Sequence, residues 1–316
     1  MKITILDRAS IGFDTPLSAL EELGEVVCYD ASTAEEAIER THNTEVLIIN
    51  KVKVTRELMQ AAKSLKLVCV FATGFDNIDI KAAKDLGIGV CNVPGYSTDS
   101  VTLFTLSTVL ALSSHLLEYN SFVKSGDYTA SGLPNKLTPV YHDIKGKTWG
   151  IIGYGNIGRE VGKVAKALGA RLIVNKRTPC EGETCVDIDT LCRESDIITV
   201  HCPLNDQSRG MINAERIALM KDSVILVNEA RGAVLDEAAV ADAVKNGRIA
   251  AFGCDVYSAE PFSENHPYTD IMQLPNVILT PHAAWASYEA RERCISIIAE
   301  NIKSFKEGNN LNRVDK

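Results

Sequence analysis

A chain of 316 residues, 46% hydrophobic and 23% charged, is long enough for two domains with separate cores. Its formal net charge of −8 disfavours nucleic acid and anionic membrane as partners, and no Lys/Arg-rich run offsets it. The opening Met1-Lys2-Ile3-Thr4-Ile5-Leu6-Asp7 lacks the long apolar core and cleavage site of a secretory leader, so a cytoplasmic protein is expected.

Short apolar runs at 3–6, 26–29, 46–49, 67–71 and 89–93 read as buried strands, with helical composition at 34–40 and 56–63 between them. This alternation predicts a first doubly wound parallel domain, complete by residue 97. Residues 101–117 are the most apolar stretch, yet Thr102, Thr105, Ser107, Thr108, Ser113, Ser114 and His115 interrupt it. A membrane span needs about 20 mostly apolar residues, so one long helix buried between domains or subunits is predicted. A loop follows over 126–147, with Gly132, Pro134 and Pro139. A second α/β series then places strands at 148–152, 171–174, 197–200, 224–227, 250–253 and 277–279. A helix is predicted over 287–306, and a frayed polar tail over 307–316.

The nine cysteines, Cys28, Cys69, Cys91, Cys180, Cys185, Cys192, Cys202, Cys254 and Cys294, include no Cys-x-x-Cys pair. Several, such as Cys69 and Cys28, sit in apolar runs, so mostly buried, reduced thiols are expected. No His/Cys/carboxylate cluster has metal-site spacing, and no metal is expected.

Gly153-Tyr154-Gly155-Asn156-Ile157-Gly158 follows one predicted strand and opens a predicted helix over 157–168. That context is what a dinucleotide needs. Gly153 permits the tight turn, Gly155 lets backbone approach the pyrophosphate, and Gly158 lets helix pack on strand. Free N–H groups at the helix start then bind the anion. The next strand ends Val174-Asn175-Lys176-Arg177-Thr178, without the acid that NAD-selective sites place about 20 residues on. Two cations and a hydroxyl suit a 2′-phosphate and favour NADP; the alternative is a solvated Lys176-Arg177 pair beside an NAD site.

In an open parallel sheet, ligands bind beyond the carboxyl ends of the strands. The last three strands of the second series lead there to Arg231, to Asp255 and Glu260-Pro261, and to Thr280-Pro281-His282. Their chemistry fits reduction of a 2-keto acid. Arg231 can hold a carboxylate and polarise the keto oxygen, His282 can give that oxygen a proton, and Glu260 can orient the imidazole. His201, after another strand, could line the dinucleotide pocket. His42, His142 and His266 fall in polar loops or helix ends and His115 on the long helix, so none is a candidate.

Over nearly its whole length the chain resembles the D-isomer-specific 2-hydroxyacid dehydrogenases. The motifs are residues 149–158, Val200-His201-Cys202-Pro203-Leu204, Asn228-Glu229-Ala230-Arg231-Gly232, Asp255-Val256-Tyr257 with Glu260-Pro261, and Thr280-Pro281-His282. The resemblance implies an α/β fold of two doubly wound parallel-sheet domains. A flavodoxin-like substrate domain would span 1–97 and 287–316, and a Rossmann dinucleotide-binding domain 98–286. It implies catalysis by Arg231, Glu260 and His282, and a substrate carboxylate held by the N–H groups of Thr73-Gly74-Phe75. It also implies dinucleotide contacts from Tyr154, Asn156, Ile157, His201, Cys202, Pro203, Glu229 and Ala230, with Asp255 on the nicotinamide carboxamide. A homodimer would bury the long helix.

Within the family, Phe71-Ala72-Thr73-Gly74, the stretch 94–101 and His282-Ala283-Ala284-Trp285-Ala286-Ser287 are most similar to glycerate dehydrogenases (hydroxypyruvate reductases). The regulatory extension of many phosphoglycerate dehydrogenases is not expected, and Gln does not replace Glu260 as it does in the family's formate dehydrogenases. The reaction expected is reduction of hydroxypyruvate or glyoxylate by NAD(P)H. D-lactate or a bulkier 2-hydroxy acid is the alternative within the class, and a dinucleotide-sensing, corepressor-like binding protein the alternative outside it.

Overall fold

Aliphatic, β-branched runs such as Val46–Ile49 and Leu67–Val70 are buried along their whole length, as expected where helices cover both faces of a parallel sheet. The structure is a computed structural model that describes residues 1–178 and 182–316. The chain divides into two compact units, residues 1–97 with 286–316 and residues 98–285.

The first unit holds β1 (Lys2–Ile5), β2 (Glu25–Cys28), β3 (Val46–Ile49), β4 (Leu67–Val70) and β5 (Gly89–Cys91). They pair in parallel in the order β2-β1-β3-β4-β5, the flavodoxin-like order. Two expectations fail here. The strand at 26–29 is not buried: β2 has a single strand neighbour, and Cys28 is exposed. Nor is the polar tail frayed. The Val314 N–H donates to the Val90 carbonyl at 2.9 Å, the Val90 N–H donates to Asp315 Oδ1 at 2.8 Å, and Arg313 pairs with Asp315. The tail thereby satisfies the open edge of β5, a tertiary role that its composition does not announce.

The second unit holds β6 (Thr148–Ile152), β7 (Arg171–Asn175), β8 (Thr184–Cys185), β9 (Ile197–Val200), β10 (Ile225–Asn228), β11 (Ala251–Cys254) and β12 (Val277–Leu279). Their order is β12-β11-β10-β9-β6-β7-β8, the Rossmann arrangement, with its topological switch between β6 and β9. β8 has no counterpart in the sequence reading, because two exposed residues carry no apolar pattern. Trp149 anchors the core, fully buried, with its indole N–H donating to Thr199 Oγ1 at 3.2 Å.

The long apolar helix is not one helix. Thr98–Ser113 ends before His115, which is left-handed at φ 51, and Leu116–Lys124 continues at a bend of 65°. The cause is local. Ser113 and Ser114 donate their hydroxyls to the Val109 and Leu110 carbonyls, both at 2.7 Å, and such back-bonding bends helices. Only the first helix reaches the core, through Val109 and Leu112 on one face, whereas Leu116 and Leu117 of the second are exposed. His115 therefore lies at the break, and the loop at 126–147 contains a further turn of helix, Asp127–Ser131. Among the described residues no single helix is long and apolar enough to cross a membrane. Of the described cysteines, Cys69, Cys91, Cys192, Cys254 and Cys294 are buried; Cys180 lies outside the described residues.

Candidate active site

Within the second unit the candidate residues follow the strand ends in sheet order. The glycine turn leaves β6, His201 leaves β9, Arg231 follows β10, Asp255 follows β11, and Thr280 to His282 follow β12.

The turn after β6 enters the helix Asn156–Ala167, whose N-cap, Gly155, offers no side-chain bond. Gly153 has φ 92, and a Cβ there would lie 2.5 Å from the Cys202 nitrogen. A Cβ on Gly158 would collide with the Gly153 carbonyl, whereas one on Gly155 would meet nothing within 4 Å. The turn is thus packed hard on one side and open where the helix dipole can meet an anion. Both ring nitrogens of His201 are buried without a hydrogen-bond partner among the described residues. Burial pushes the His201 pKa down to about 3, so the imidazole is neutral. An open glycine cradle beside unsatisfied buried nitrogens fits a polar dinucleotide. Tyr154 faces the other way, donating to Glu183 at 2.9 Å, and the Asn175 amide donates to the Val186 carbonyl at 3.0 Å. Any contact from Tyr154 would therefore come from its backbone. Beyond Asn175, Lys176 is half-buried and Arg177 exposed.

The turn bearing Arg231 is built by Asn228, fully buried at the end of β10. Its side-chain carbonyl accepts from the Ala230 N–H at 3.1 Å and its amide donates to the Arg231 carbonyl at 3.0 Å. Asn228 thus braces both sides of the turn. Arg231 donates to the Ala230 carbonyl at 2.8 Å. Gly232 follows because any Cβ there would collide with the backbone of Tyr257 and Ser258.

The next two strand ends meet through Asp255, which is 2% exposed. Its Oδ1 accepts from the Thr280 hydroxyl at 2.6 Å and the Ala283 N–H at 2.8 Å, and its Oδ2 accepts from the Ala284 N–H at 2.9 Å. His282 sits inside this clasp at φ 54. A left-handed non-glycine residue costs roughly 1–2 kcal/mol, while bonds to a carboxylate contribute about 1.5–3 kcal/mol each. Three of them outweigh the strain. His282 Nδ1 then meets Glu260 Oε2 at 2.7 Å, and Glu260 Oε1 accepts from the Tyr257 N–H at 3.1 Å. The Tyr257 hydroxyl donates to the Thr280 carbonyl at 2.8 Å, tying the loop of Glu260 to that of His282.

Glu229 departs from its expected place. It is 8% exposed, and its carboxyl meets the Thr105 hydroxyl at 2.6 Å on the helix Thr98–Ser113. Burial pushes its pKa up to about 8, aided by the negative charge of Asp255. His266 caps the 3-10 turn Pro267–Asp270, a helix end as expected, and is buried there: it is 8% exposed, packs edge-on to Tyr257 and Tyr268, and meets Glu237 at 3.1 Å. In the first unit, Thr73 donates its hydroxyl to the Val93 carbonyl at 2.8 Å, and Asn92 donates to the Thr73 carbonyl at 2.8 Å. These bonds shape the turn that carries Thr73, Gly74 and Phe75.

Four residues had no role in the sequence reading: Asn228, Gly232, Tyr257 and Thr280. For Asn228 a signal existed, since a polar residue closing the apolar run Ile225–Asn228 needs buried partners.

A family model described as D-isomer specific 2-hydroxyacid dehydrogenase, NAD binding domain, matches residues 106–284. A hydroxypyruvate reductase of Blautia hydrogenotrophica is 36% identical, with all of both chains covered. A glycerate dehydrogenase of Methylorubrum extorquens is 37% identical over 99% of each. Among solved structures, an acyclic imino acid reductase in complex with NADPH and D-Arg superposes with a TM-score of 0.89 at 31% identity, covering 99% of this chain and 100% of that one. A family-model match over more than half of the chain, with relatives at 36% and 37% identity over nearly all of it, settles the family: the chain belongs to the D-isomer-specific 2-hydroxyacid dehydrogenases, enzymes that use a nicotinamide dinucleotide.

Proposed function

We propose that this enzyme reduces hydroxypyruvate or glyoxylate to the D-2-hydroxy acid, with His282 as the acid/base and NADPH as the preferred reductant. The observation that carries the reading is the 2.7 Å contact between Glu260 and His282 on a loop that Asp255 holds in place. The names of the hydroxypyruvate reductase and glycerate dehydrogenase relatives support the substrate class.

When bound, the dinucleotide supplies the hydride. Nδ1 of His282 donates to the Glu260 carboxylate, and Nε2 protonates the keto oxygen and takes the proton back in the reverse direction. Glu260 orients the ring and balances the imidazolium. Arg231 binds the substrate carboxylate as a fixed, planar cation and polarises the keto group. In the first unit, the turn of Thr73, Gly74 and Phe75 offers N–H groups suited to a carboxylate. The glycine turn 153–158, His201, Cys202, Pro203, Ala230 and Asp255 line the dinucleotide site, and Lys176 and Arg177 take the 2′-phosphate. Residues 1–97 with 287–316 serve as the substrate domain and 98–286 as the dinucleotide domain.

A homodimer fits the same reading. Leu103, Leu110, Leu116, Leu117 and Val123, on consecutive helices, are all exposed, and clustered exposed apolar side chains mark an interface.

Initial rates with hydroxypyruvate, glyoxylate, pyruvate and 2-ketoisocaproate, each with NADH and NADPH, test this reading. The expected order puts hydroxypyruvate and glyoxylate first. A preference for 2-ketoisocaproate would overturn it.

A further inference from the structure

The hydroxyl of Thr105 has one proton and two oxygen neighbours. It lies 2.8 Å from the Val101 carbonyl, which can only accept, and 2.6 Å from Glu229 Oε2. If the proton goes to Val101, the Glu229 contact needs a proton of its own. A carboxylic acid donating to Thr105 Oγ1 supplies it and suits the short distance. The surroundings favour the neutral form. Glu229 is 8% exposed, and the charged group nearest in effect is the buried carboxylate of Asp255, of like sign. From the helix Thr98–Ser113 it is faced by the uncharged hydroxyls of Thr105 and Thr108; the Thr108 bond favours the charged form but does not offset the burial.

We propose that Glu229 is a positioning residue that works in its protonated form, fastening the turn of Asn228 to Arg231 onto the helix Thr98–Ser113. Asn228 braces that turn from within and Glu229 ties it from outside, so the guanidinium of Arg231 is held on both counts. Ionisation removes the donated proton and sets two carboxylates against each other in a dry site. The turn then loosens, and Arg231 loses its aim. The pKa of about 8 places that loss just above neutrality. The consequence for substrate rests on the proposed role of Arg231; the protonation of Glu229 does not.

The experiment pairs two readouts on the intact enzyme. Infrared difference spectra between neutral and alkaline pH should show a protonated-carboxyl band that disappears with rising pH and is missing in Glu229→Gln. In parallel, KM for hydroxypyruvate and kcat are measured with NADPH from about pH 6.5 to about pH 9.5. KM of the wild type should climb about ten-fold over this range, while Glu229→Gln, whose amide still donates to Thr105, should match it at low pH and rise far less. Thr105→Val, which removes the acceptor, should raise KM about five-fold even at neutral pH. A missing carboxyl band would overturn the protonated state. A band with the same KM rise in wild type and Glu229→Gln would overturn the positioning role. Should Arg231→Ala leave KM and kcat unaltered, the fault lies in the assigned role of Arg231, which the band does not depend on.

Discussion

Glu260 Oε2 lies 2.7 Å from His282 Nδ1, although 22 residues separate them in the chain. The contact engages Nδ1 and so sets the tautomer of the imidazole. Glu260→Gln keeps the hydrogen-bonding shape and removes the charge. The expected result is a kcat about 10-fold lower with the Kd for NADPH unaltered, measured by steady-state rates and cofactor titration. An unchanged kcat would count against Glu260 as the partner of the imidazole.

Arg231→Ala should lower kcat/KM for hydroxypyruvate by about 10²–10³-fold, the effect of losing a charged, bidentate contact. Arg231→Lys should recover only part, because an ammonium cannot reproduce the planar fork. NADPH affinity should stay within about two-fold in both variants. Equal kcat/KM in wild type and Arg231→Ala would remove Arg231 from the substrate site.

Asp255 combines two jobs at one position, end of strand and clasp of the His282 loop. Asp255→Ala strips the acceptors from Thr280, Ala283 and Ala284. Urea denaturation should register a loss on the order of 3 kcal/mol, and activity should fall further than folding stability explains. A fully stable, fully active variant would mean that the left-handed His282 is held by something else.

Two buried groups should give folding stability opposite slopes with pH. Glu229 is raised from 4.5 to about 8, so its contribution is complete below about pH 4.5 and is lost as pH rises toward 8. His201 is lowered from 6.5 to about 3, so its contribution is complete above about pH 6.5 and is lost as pH falls toward 3. Thermal melts across pH should show Glu229→Gln flattening the fall in stability from about pH 4.5 to 8, and His201→Phe the fall from about pH 6.5 to 3. Unchanged slopes in the variants would contradict both assignments.

Both sheets could be read from residue order, because continuous apolar runs such as Leu67–Val70 are what a doubly covered parallel strand requires. So could the strand-end positions of Arg231, Glu260 and His282. What stayed hidden depends on side-chain partners that a residue pattern does not name, some of them local and some distant in sequence. The bend at His115 comes from serine back-bonding, and the docking of Asp315 comes from the open edge of β5. The turn of Glu229 toward Thr105 spans 124 residues, and no local pattern in Asn228-Glu229-Ala230-Arg231 foretells it.

Cofactor choice is tested at Lys176 and Arg177. Replacing both by Asp and Ser should cut kcat/KM with NADPH at least about ten-fold while sparing NADH. Equal or better rates with NADH in the wild type would refute the preference for NADPH.

Proton transfer by His282 during hydride transfer to a small 2-keto acid unites the proposed roles. Its most direct measurement is NADPH oxidation with hydroxypyruvate by wild type and His282→Ala, with the chirality of the product determined. The wild type should yield the D-hydroxy acid, and His282→Ala should lose at least about 10²-fold in kcat while binding NADPH as before. Turnover by His282→Ala equal to that of the wild type, or an L-hydroxy acid as product, would contradict the account.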